Sequence, residues 1–460
     1  MLSSNAIETE ESIKVVVRLN QAVPWMVQGQ LTYADGSAVS GRDYFPSFNS
    51  FFIFPNQTEV VVNVPIAKDF QDGRDRSFTV SISGFEADAI ADSISSTQTI
   101  LDSKIAIPLL AKSAGTGGFH GCALTLDNKV MCWGQWGKYD EIFGYNRPTE
   151  YVQGLENIKA IEVGHSSNCA ITANDTVKCW GKIKLDGPNM AGEIRRVTIA
   201  EDLSGVSNVK QLSIGEYPSC ALTYDGRVYC WGPTGISGSA GYSVPTDIGL
   251  SGVIQVVAGG THACALLADS TVRCWGSGSS GQLGNNSSRV GTDLLNCALY
   301  RDSLAPVAVH QLSGVKQLSK GGNTCAVVAD GSIYCWGYNY FYMIQGVPRS
   351  QCVSNVPARD PFASSVQEIF GGEYVCYKNA SNQVTCYGDK RWGFGDGVYA
   401  PFSTGTTVPV LGAMTSLTIG IHNGCGINRE SKVQCWGRDF TTSDTIATPT
   451  DILIITDRFR

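Results

Sequence analysis

The sequence predicts an all-β protein, and its composition, turn residues and cysteine spacing support this prediction. The chain has 51 Gly and only 6 Met, with 10% aromatic and 16% charged residues. Such a composition is typical of short strands joined by tight turns. Fourteen of the 16 cysteines form pairs separated by ten residues. At 460 residues the chain is too long for one hydrophobic core, so we expect at least two domains.

The cysteine pairs recur with a regular period along the chain. The first members of successive pairs are 44 to 61 residues apart, which suits a four-stranded propeller blade of about 40–50 residues. We therefore predict a seven-bladed β-propeller. The seven pairs are Cys122 with Cys132, Cys169 with Cys179, Cys220 with Cys230, Cys264 with Cys274, Cys325 with Cys335, Cys376 with Cys386 and Cys425 with Cys435.

Each pair flanks residues that favour a turn, such as Asp127-Asn128 and Asp225-Gly226. A three-residue hairpin loop that ends in a left-handed residue would place the two cysteines directly opposite each other. We expect a disulfide in every hairpin, each contributing about 2–3 kcal/mol. Cys297 and Cys352 remain, and we expect them to pair and to join the long connectors of blades four and five. So many disulfides indicate an oxidising compartment, and we predict a secreted or cell-surface protein.

The repeated unit has a recognisable sequence. Residues 220–232 read CALTYDGRVYCWG, and residues 281–284 read GQLG. Over about residues 106–455 the chain resembles the regulator-of-chromosome-condensation repeat family, which implies a propeller. Nuclear members of that family act as exchange factors for a small GTPase. A secreted bacterial member inhibits β-lactamases through loops on one face, which is closer to the compartment expected here.

The first hundred residues contain no cysteine and have a different organisation. Residues 13–19, 60–66 and 78–82 are predicted strands, and the segment has the size of a β-sandwich. YADGSA at 33–38, VPI at 64–66 and ILD at 100–102 resemble the Calx-β family. The resemblance implies a calcium site at Asp43, Asp69 and Asp102, with Glu8 or Glu10. Lys68, Gly73 and Arg76 replace expected acids, which favours the alternative that these carboxylates are merely solvated.

These patterns divide the chain into a Calx-β-like sandwich at 1–105 and the propeller at 106–460. Residues 447–455 look like the start of an eighth unit, and we expect them to dock beside residues 104–110, so that both chain ends complete the ring. The residues after Met1 contain neither a charged segment nor an apolar one. We expect the chain to be part of a longer exported protein or a mature form.

Charge and motifs exclude several functions. The net charge of −7 offers no basic surface for nucleic acid, and no apolar run reaches the length of a membrane span. The sequence lacks H-E-x-x-H, G-x-S-x-G and P-loop motifs, so we predict a protein that is not an enzyme and has no cofactor other than the calcium considered above. Four of the five histidines lie just before a hairpin's first cysteine, and we expect hydrogen bonds within their own blades.

Aromatic residues are concentrated in three connectors that follow the Trp-Gly or Tyr-Gly of a blade. We predict that they form a ligand site on one propeller face, or that they fold inward over the blade ends. The candidate residues are Trp136, Tyr139, Tyr338, Tyr340, Phe341, Tyr342, Arg391 and Trp392. Aromatic and arginine side chains dominate binding hot spots. We therefore predict an adhesion or binding module for a protein or glycan. The alternatives are a structural spacer in a larger surface protein, a secreted protein inhibitor and, least favoured, an enzyme.

Overall fold

The chain forms two compact units, Met1–Ile107 with Leu453–Arg460, and Pro108–Ile452. The computed structural model describes residues 5–7, 11–67, 75–83, 94–101, 104–118, 120–134, 149–183, 195–234, 236, 241–292, 298–319, 321–338, 352–361, 363–371, 374–390, 400–420, 423–438 and 445–457. We call the two units unit 1 and unit 2. Within the described residues the secondary structure is β-strand, apart from one short 3-10 helix.

Unit 1 contains three sheets within the described residues, two of which share one core. Its strands are β1 (Asn5–Ile7), β2 (Ser12–Arg18), β3 (Val27–Asp35), β4 (Ser50–Ile53), β5 (Glu59–Pro65), β6 (Arg76–Ser83), β7 (Ile94–Leu101), β8 (Lys104–Pro108) and β39 (Leu453–Asp457). A five-stranded sheet has the order β1-β7-β6-β3-β4, and β2 pairs with β5. Strands β2, β3 and β6 alternate buried and exposed residues, because one face packs on the core. Phe78, Val80 and Ile82 from β6 meet Ile13, Val15 and Val64 from the smaller sheet.

Unit 2 contains seven four-stranded sheets within the described residues, numbered here in chain order. Sheet 1 comprises β9 (Ala111–Thr116), β10 (His120–Thr125), β11 (Val130–Gly134) and β12 (Glu150–Tyr151). Sheet 2 comprises β13 (Ile158–Val163), β14 (Ser167–Thr172), β15 (Val177–Ile183) and β16 (Arg195–Asp202). Sheet 3 comprises β17 (Val209–Ile214), β18 (Ser219–Thr223), β19 (Val228–Gly232) and β20 (Tyr242–Asp247). Sheet 4 comprises β21 (Val253–Ala258), β22 (His262–Leu267), β23 (Val272–Gly276) and β26 (Ser303–Ala308).

The remaining sheets repeat this blade-like pattern. Sheet 5 comprises β27 (Val315–Ser319), β28 (Thr324–Val328), β29 (Ile333–Tyr338) and β30 (Val353–Arg359). Sheet 6 comprises β31 (Val366–Gly371), β32 (Tyr374–Asn379), β33 (Val384–Lys390) and β34 (Ala400–Thr407). Sheet 7 comprises β35 (Ser416–Ile419), β36 (Asn423–Ile427), β37 (Val433–Arg438) and β38 (Thr445–Asp451). A short pair, β24 (Gly291–Thr292) and β25 (Ala298–Leu299), lies in the sheet 4 connector, and the 3-10 helix (Pro409–Ala413) precedes sheet 7.

The central hairpin of every sheet confirms the predicted turn. The sixth residue after the first cysteine has positive φ in all seven hairpins: Asn128, Asp175, Gly226, Ser270, Gly331, Asn382 and Ser431. The left-handed residue closes the loop, so the two strands run back alongside each other in the expected register. The cysteines therefore face each other across each hairpin, as Cys122 faces Cys132.

The seven predicted hairpin disulfides are confirmed, and their paired Cα atoms are 4.0–4.1 Å apart. The bridges join Cys122 to Cys132, Cys169 to Cys179, Cys220 to Cys230, Cys264 to Cys274, Cys325 to Cys335, Cys376 to Cys386 and Cys425 to Cys435. Cys352 is also disulfide-bonded. Its predicted partner Cys297 lies outside the described residues, so that pairing stays a prediction.

The aromatic residue after the second cysteine packs between neighbouring sheets. Trp231 of sheet 3 packs with Ile171 and Val177 of sheet 2. Tyr387 replaces tryptophan in sheet 6 and packs with Val327 of sheet 5. Each of sheets 2 to 7 buries its own aromatic residue in this way against the sheet that precedes it. This explains why the Trp-Gly motif recurs with the blade period.

The predicted closure at the chain ends is only partly confirmed. Strand β39 pairs with β8, so residues from the two ends do lie side by side. Residues 445–451 do not start an eighth unit, however, because they form the fourth strand of sheet 7, where Thr450 faces Cys435. Each four-stranded sheet is built from one contiguous stretch of chain, and the expectation that both ends complete one blade is wrong.

Candidate functional site

The first strands of the seven sheets surround a central channel in unit 2. Each first strand contacts the first strand of the next sheet, and β35 contacts β9. Three consecutive first strands carry a glutamine whose amide donates to the carbonyl of one residue in the next first strand and accepts from the N–H of that residue, with the distances given in that order. These pairs are Gln211 with Val256 (2.9 and 3.2 Å), Gln255 with Leu318 (3.0 and 2.8 Å) and Gln317 with Ile369 (3.3 and 3.1 Å).

One end of this channel opens into a cavity of about 170 Å³. Glycines at the ends of the first strands line it, together with the side chains of His165 and Glu216. We call this end, formed by Gly117, Gly164, Gly215, Gly259, Gly420, His165 and Glu216, the channel mouth. A side chain at Gly215 would collide with the carbonyl of Gly259, and one at Gly164 with Ile214. Glycine is therefore required because adjacent first strands approach closely here.

The connectors begin at the same end of the sheets as the channel mouth. In sheet 2 the loop after β13 leads into β14, and Gly181 near the end of β15 lies opposite Ser167 at the start of β14. The connector that follows β15 therefore leaves beside the loop that follows β13. Direct contacts join such loops in sheet 4, where Ser277 N–H donates to the Thr261 carbonyl at 2.9 Å. Every sheet has the same strand order, so its third strand ends on this side.

The GQLG sequence is part of this loop layer. Gln282 is buried, and its carbonyl accepts a hydrogen bond from Trp336 Nε1 at 2.9 Å. Leu283 joins the core that sheets 4 and 5 share. The motif thus fastens the first part of the sheet 4 connector onto sheet 5. The described portion of that connector therefore folds inward against sheet 5.

Buried polar atoms without a hydrogen-bond partner lie close to the channel mouth. Thr116 Oγ1 and both amide atoms of Asn423 have no partner, although each side chain is at most 4% exposed. A Cβ at Gly420 would touch Thr116 Oγ1 and Asn423 Oδ1, so the two groups converge there. Because buried polar groups in native proteins are almost always hydrogen-bonded, this point has capacity to bind water or another small polar group.

The side chains of two buried histidines form their hydrogen bonds with an adjacent sheet instead of their own. His120 Nε2 bonds to Asn168 Oδ1 of sheet 2 at 2.7 Å, and His262 Nε2 bonds to Thr324 Oγ1 of sheet 5 at 2.7 Å. The prediction of bonds within one blade is therefore wrong for both, because their rings lie at the sheet boundary. Burial lowers the pKa of each histidine to about 4, so both are neutral near pH 7.

The structure describes only one of the predicted connector residues. Tyr338 ends β29, is half-buried and lies opposite Val353 of β30. It therefore lies at the start of the sheet 5 connector, on the same side as the channel mouth. The other predicted binding residues lie outside the described residues: Trp136, Tyr139, Tyr340, Phe341, Tyr342, Arg391 and Trp392. Sequence reasoning missed the channel mouth, although a glycine five residues before most first cysteines was a visible signal.

Asp43 of unit 1, one of the residues implied for a calcium site, contacts two arginines. Its carboxylate is buried and receives Arg42 Nη2 at 2.7 Å, Arg76 Nη1 at 3.0 Å and the Val39 N–H at 2.8 Å. Burial acts to raise the pKa of Asp43, but these hydrogen bonds and charges outweigh it and hold the pKa below its usual value. Two guanidinium groups thus pair with Asp43 in this structure, and the calcium site as a whole stays a prediction. Asp69 and Asp102, with Glu8 and Glu10, lie outside the described residues.

The part of the chain that the structure describes offers neither a cluster for a metal ion nor a helix that could span a membrane. No group of three or more His, Cys, Asp or Glu side chains is arranged to hold a metal ion there. No helix in that part has the length and apolar composition needed to cross a membrane.

Comparison with known proteins identifies the repeats of unit 2. Residues 112–139, 209–232 and 253–282 match the regulator of chromosome condensation (RCC1) repeat. Yeast RCC1 (Prp20), solved bound to Kap60, is 19% identical, with 70% of this chain and 83% of that chain covered and a TM-score of 0.57. Prp20p from Saccharomyces cerevisiae in a second structure is 16% identical, with 69% and 83% covered and a TM-score of 0.55.

Human WBSCR16 is 18% identical, with 72% of this chain and 99% of that chain covered and a TM-score of 0.56. No curated protein sequence matches the chain. At these identities the likeness concerns the fold alone. Unit 2 is a propeller of RCC1-type repeats, and its seven hairpin disulfides indicate an oxidising environment.

Proposed function

We propose that this propeller of RCC1-type repeats has seven blades and serves as a binding or adhesion module of a secreted or cell-surface protein. Its ligand is a protein or a glycan, bound at the side that carries the channel mouth and the connectors. A Calx-β-like sandwich precedes it, formed by unit 1. The observation that carries the proposal is that first-strand loops and third-strand connectors of every sheet leave on one side.

Rigidity and location both support this proposal. Seven disulfides staple the central hairpins, and Gln211, Gln255 and Gln317 tie successive first strands together. A stiff scaffold lowers the entropy lost when its loops bind a partner. Disulfides persist in secreted and cell-surface proteins, whereas the cytosol and nucleus keep thiols reduced. The expectation of an exported protein therefore rests on the same bridges that stiffen the ring.

Structural neighbours support a protein ligand by analogy. Yeast Prp20 is described as bound to Kap60 and as binding Gsp1p and histones. We carry over only the use of the fold as a protein-binding scaffold. The net charge of −7 gives this chain no basic surface for nucleic acid, and we propose that none is bound.

We propose that the module is not an enzyme. The titratable side chains among the described lining of the channel are Glu162, His165 and Glu216. Glu162 lines a second cavity, with Gln211 and Gln255, and neither cavity brings two carboxylates together with a histidine. Two alternatives remain, a structural spacer and a secreted inhibitor. A spacer would bind nothing at the channel mouth, whereas an inhibitor would bind an enzyme there.

The test is a binding screen of the full chain on a glycan array and a phage-displayed peptide library. Three changes are then compared against the best binder: Tyr338→Ala, Glu216→Ala, and the double change Tyr340→Ala with Trp392→Ala. We expect at least one to weaken binding by about 2 kcal/mol or more, as hot-spot truncations do. Tyr224→Ala is the matched control, because Tyr224 is an exposed tyrosine in the hairpin loop at the other end of sheet 3.

The proposal is wrong if Tyr224→Ala weakens binding as much as the changes at the channel mouth. It is also wrong if the chain binds nothing in either screen, which would favour a spacer. Thermal unfolding of every variant separates lost contacts from lost fold. If the double change of Tyr340 and Trp392 lowers the melting temperature and leaves binding intact, the role of these two side chains is to cover the ends of the sheets and not to bind the ligand.

A further inference from the structure

The outer face of the five-stranded sheet in unit 1 carries no charged side chain on the described residues of β3, β6 and β7. Strand alternation places hydroxyl, amide and small residues outward on these strands, while the intervening residues are buried. Cross-strand pairing arranges them in rows, such as Thr32 opposite Ser81 and Ser81 opposite Ser95. We call this set the uncharged face: Gln28, Gln30, Thr32, Ala34, Ser77, Thr79, Ser81, Ser83, Ser95, Thr97 and Thr99, with Phe52 on β4.

The smaller sheet of the same unit provides an internal comparison. Its outward residues include Lys14, Arg18 and Glu59, and Arg18 pairs with Glu59 at 2.7 Å. A solvated sheet face in this unit therefore does carry charge. Charges on exposed sheet surfaces normally prevent unwanted association. Their absence from the residues of the uncharged face, in contrast, indicates a surface that meets an uncharged partner.

Exposed aromatic and apolar side chains border the uncharged face along β4. Phe52 lies opposite Gln28, and Phe54 and Met26 occupy the next outward positions beyond that pair. Phe54 is 59% exposed, Met26 50%, and Trp25 58%. Residues 19–34 and 45–58, which contain this border, include no Asp, Glu, Lys or Arg. Contiguous exposed apolar residues of this kind mark interaction sites.

We infer that the uncharged face binds a neutral polysaccharide. Hydroxyl and amide side chains donate to and accept from sugar hydroxyls, and they recur about 4.8 Å apart across strands and about 6.7 Å apart along them. Phenylalanine and tryptophan rings supply flat surfaces against which the C–H faces of sugar rings pack. Because most side chains on the face are small, few of them project far from the sheet, which suits contact with an extended chain. A ligand that carries formal charge would find no partner there.

This inference adds a second binding surface and does not depend on the ligand proposed for unit 2. A second copy of the chain is the competing occupant, since β1 and β4 are the edge strands of the sheet and β4 carries the exposed Phe52. Strand β4 has only four residues, Ser50–Ile53, which offers little length for edge pairing. The rows of hydroxyl groups run across β3, β6 and β7, away from that edge. A polysaccharide uses this whole area, whereas edge pairing uses only β4.

The experiment measures retention of the full chain by microcrystalline cellulose, chitin and insoluble mannan, with the acidic polysaccharide alginate as a comparison. We expect retention by at least one neutral polysaccharide and none by alginate. Two variants should weaken that retention at least tenfold: the double change Phe52→Ala with Phe54→Ala, and Thr32→Lys, which places a charge on the uncharged face. Val61→Lys is the matched control, because it adds the same charge to the exposed face of β5.

Thermal unfolding confirms that each variant is folded, and Thr32→Lys keeps the test valid if the phenylalanine variant is unstable. The inference fails if no neutral polysaccharide retains the chain, or if alginate alone does. It also fails if Val61→Lys weakens retention as much as Thr32→Lys. Sedimentation equilibrium tests whether a second copy of the chain occupies the face instead. If the chain is a dimer that Thr32→Lys disrupts and Val61→Lys leaves intact, the face belongs to a dimer interface and the inference is wrong.

Discussion

Thr418 and Ala114 lie 304 residues apart in the sequence and are joined by a hydrogen bond, in which Thr418 Oγ1 donates to the Ala114 carbonyl at 2.6 Å. Thr418 belongs to β35 and Ala114 to β9, so this bond connects the first strands of the last and first sheets. Among the described strands, no four-stranded sheet of unit 2 combines the two ends of the chain. Ring closure in unit 2 therefore depends on contacts between complete sheets, of which this bond is one.

Thr418→Val should destabilise the ring at this closure. Valine has the same shape but cannot donate, so the Ala114 carbonyl loses its partner at a cost of about 1–2 kcal/mol. Thermal unfolding or urea unfolding would measure this loss. Thr246→Val is the control, because Thr246 is also half-buried but its hydroxyl donates to the Val244 carbonyl within its own strand. Equal stability of the two variants would contradict a role for Thr418 in closure.

Gln255→Glu should lower the free energy of unfolding more than the same substitution at an exposed glutamine. Gln255 donates to the Leu318 carbonyl and accepts from the Leu318 N–H. A carboxylate can still accept from the Leu318 N–H, but its second oxygen would face the Leu318 carbonyl. We expect this repulsion to lower the free energy of unfolding by about 2–3 kcal/mol in this half-buried position. Gln153→Glu, on an exposed side chain, should stay within about 0.5 kcal/mol of the wild type in urea unfolding. Similar midpoints for both variants would rule out the proposed coupling of sheets 4 and 5.

The hairpins were predictable from sequence because they are local. A ten-residue cysteine offset and turn residues such as Asp225-Gly226 determine the register without reference to the rest of the chain. Hydrogen-bond partners across sheet boundaries were not predictable. His120 and Asn168, for example, are 48 residues apart, and no sequence pattern near either residue indicates that the two pair. The same applies to Asp43, which lies in the turn segment between β3 and β4, whereas its partner Arg76 lies on β6. The channel mouth was not predictable either, because its glycines come together only when the seven sheets assemble into a ring.

Removal of one hairpin disulfide should weaken unit 2 without abolishing its fold. The Cys220–Cys230 bridge closes a short loop, so the double change Cys220→Ala with Cys230→Ala should lower the free energy of unfolding by about 2–3 kcal/mol. The effect is limited because six other hairpins keep their bridges. Peptide mapping without reduction should recover the seven hairpin pairs, and we predict a linked Cys297–Cys352 peptide as well. Free thiols, or bridges between sheets, would contradict the hairpin assignment.

Acidification should destabilise the protein through its two buried histidines. Burial lowers the pKa of His120 and His262 to about 4, whereas an unfolded histidine titrates near 6.5. Between these values the unfolded chain binds protons that the native state excludes, so the free energy of unfolding falls as the pH is lowered. From pH 7.5 to pH 5 each histidine should contribute a loss of about 2 kcal/mol. Carboxylates such as Asp43, whose pKa is held low, stay ionised in this window.

The double change His120→Gln with His262→Gln should flatten this pH dependence. A glutamine amide still reaches hydrogen-bonding partners like Asn168 and Thr324, but it does not titrate. Urea unfolding at pH 7.5, 6 and 5 would compare the variant with the wild type and with each single change. We expect the two single changes to remove about half of the slope each, because the two sites are at separate sheet boundaries and act independently. If the double variant loses as much stability on acidification as the wild type, the acid sensitivity lies elsewhere and these histidines are not its source.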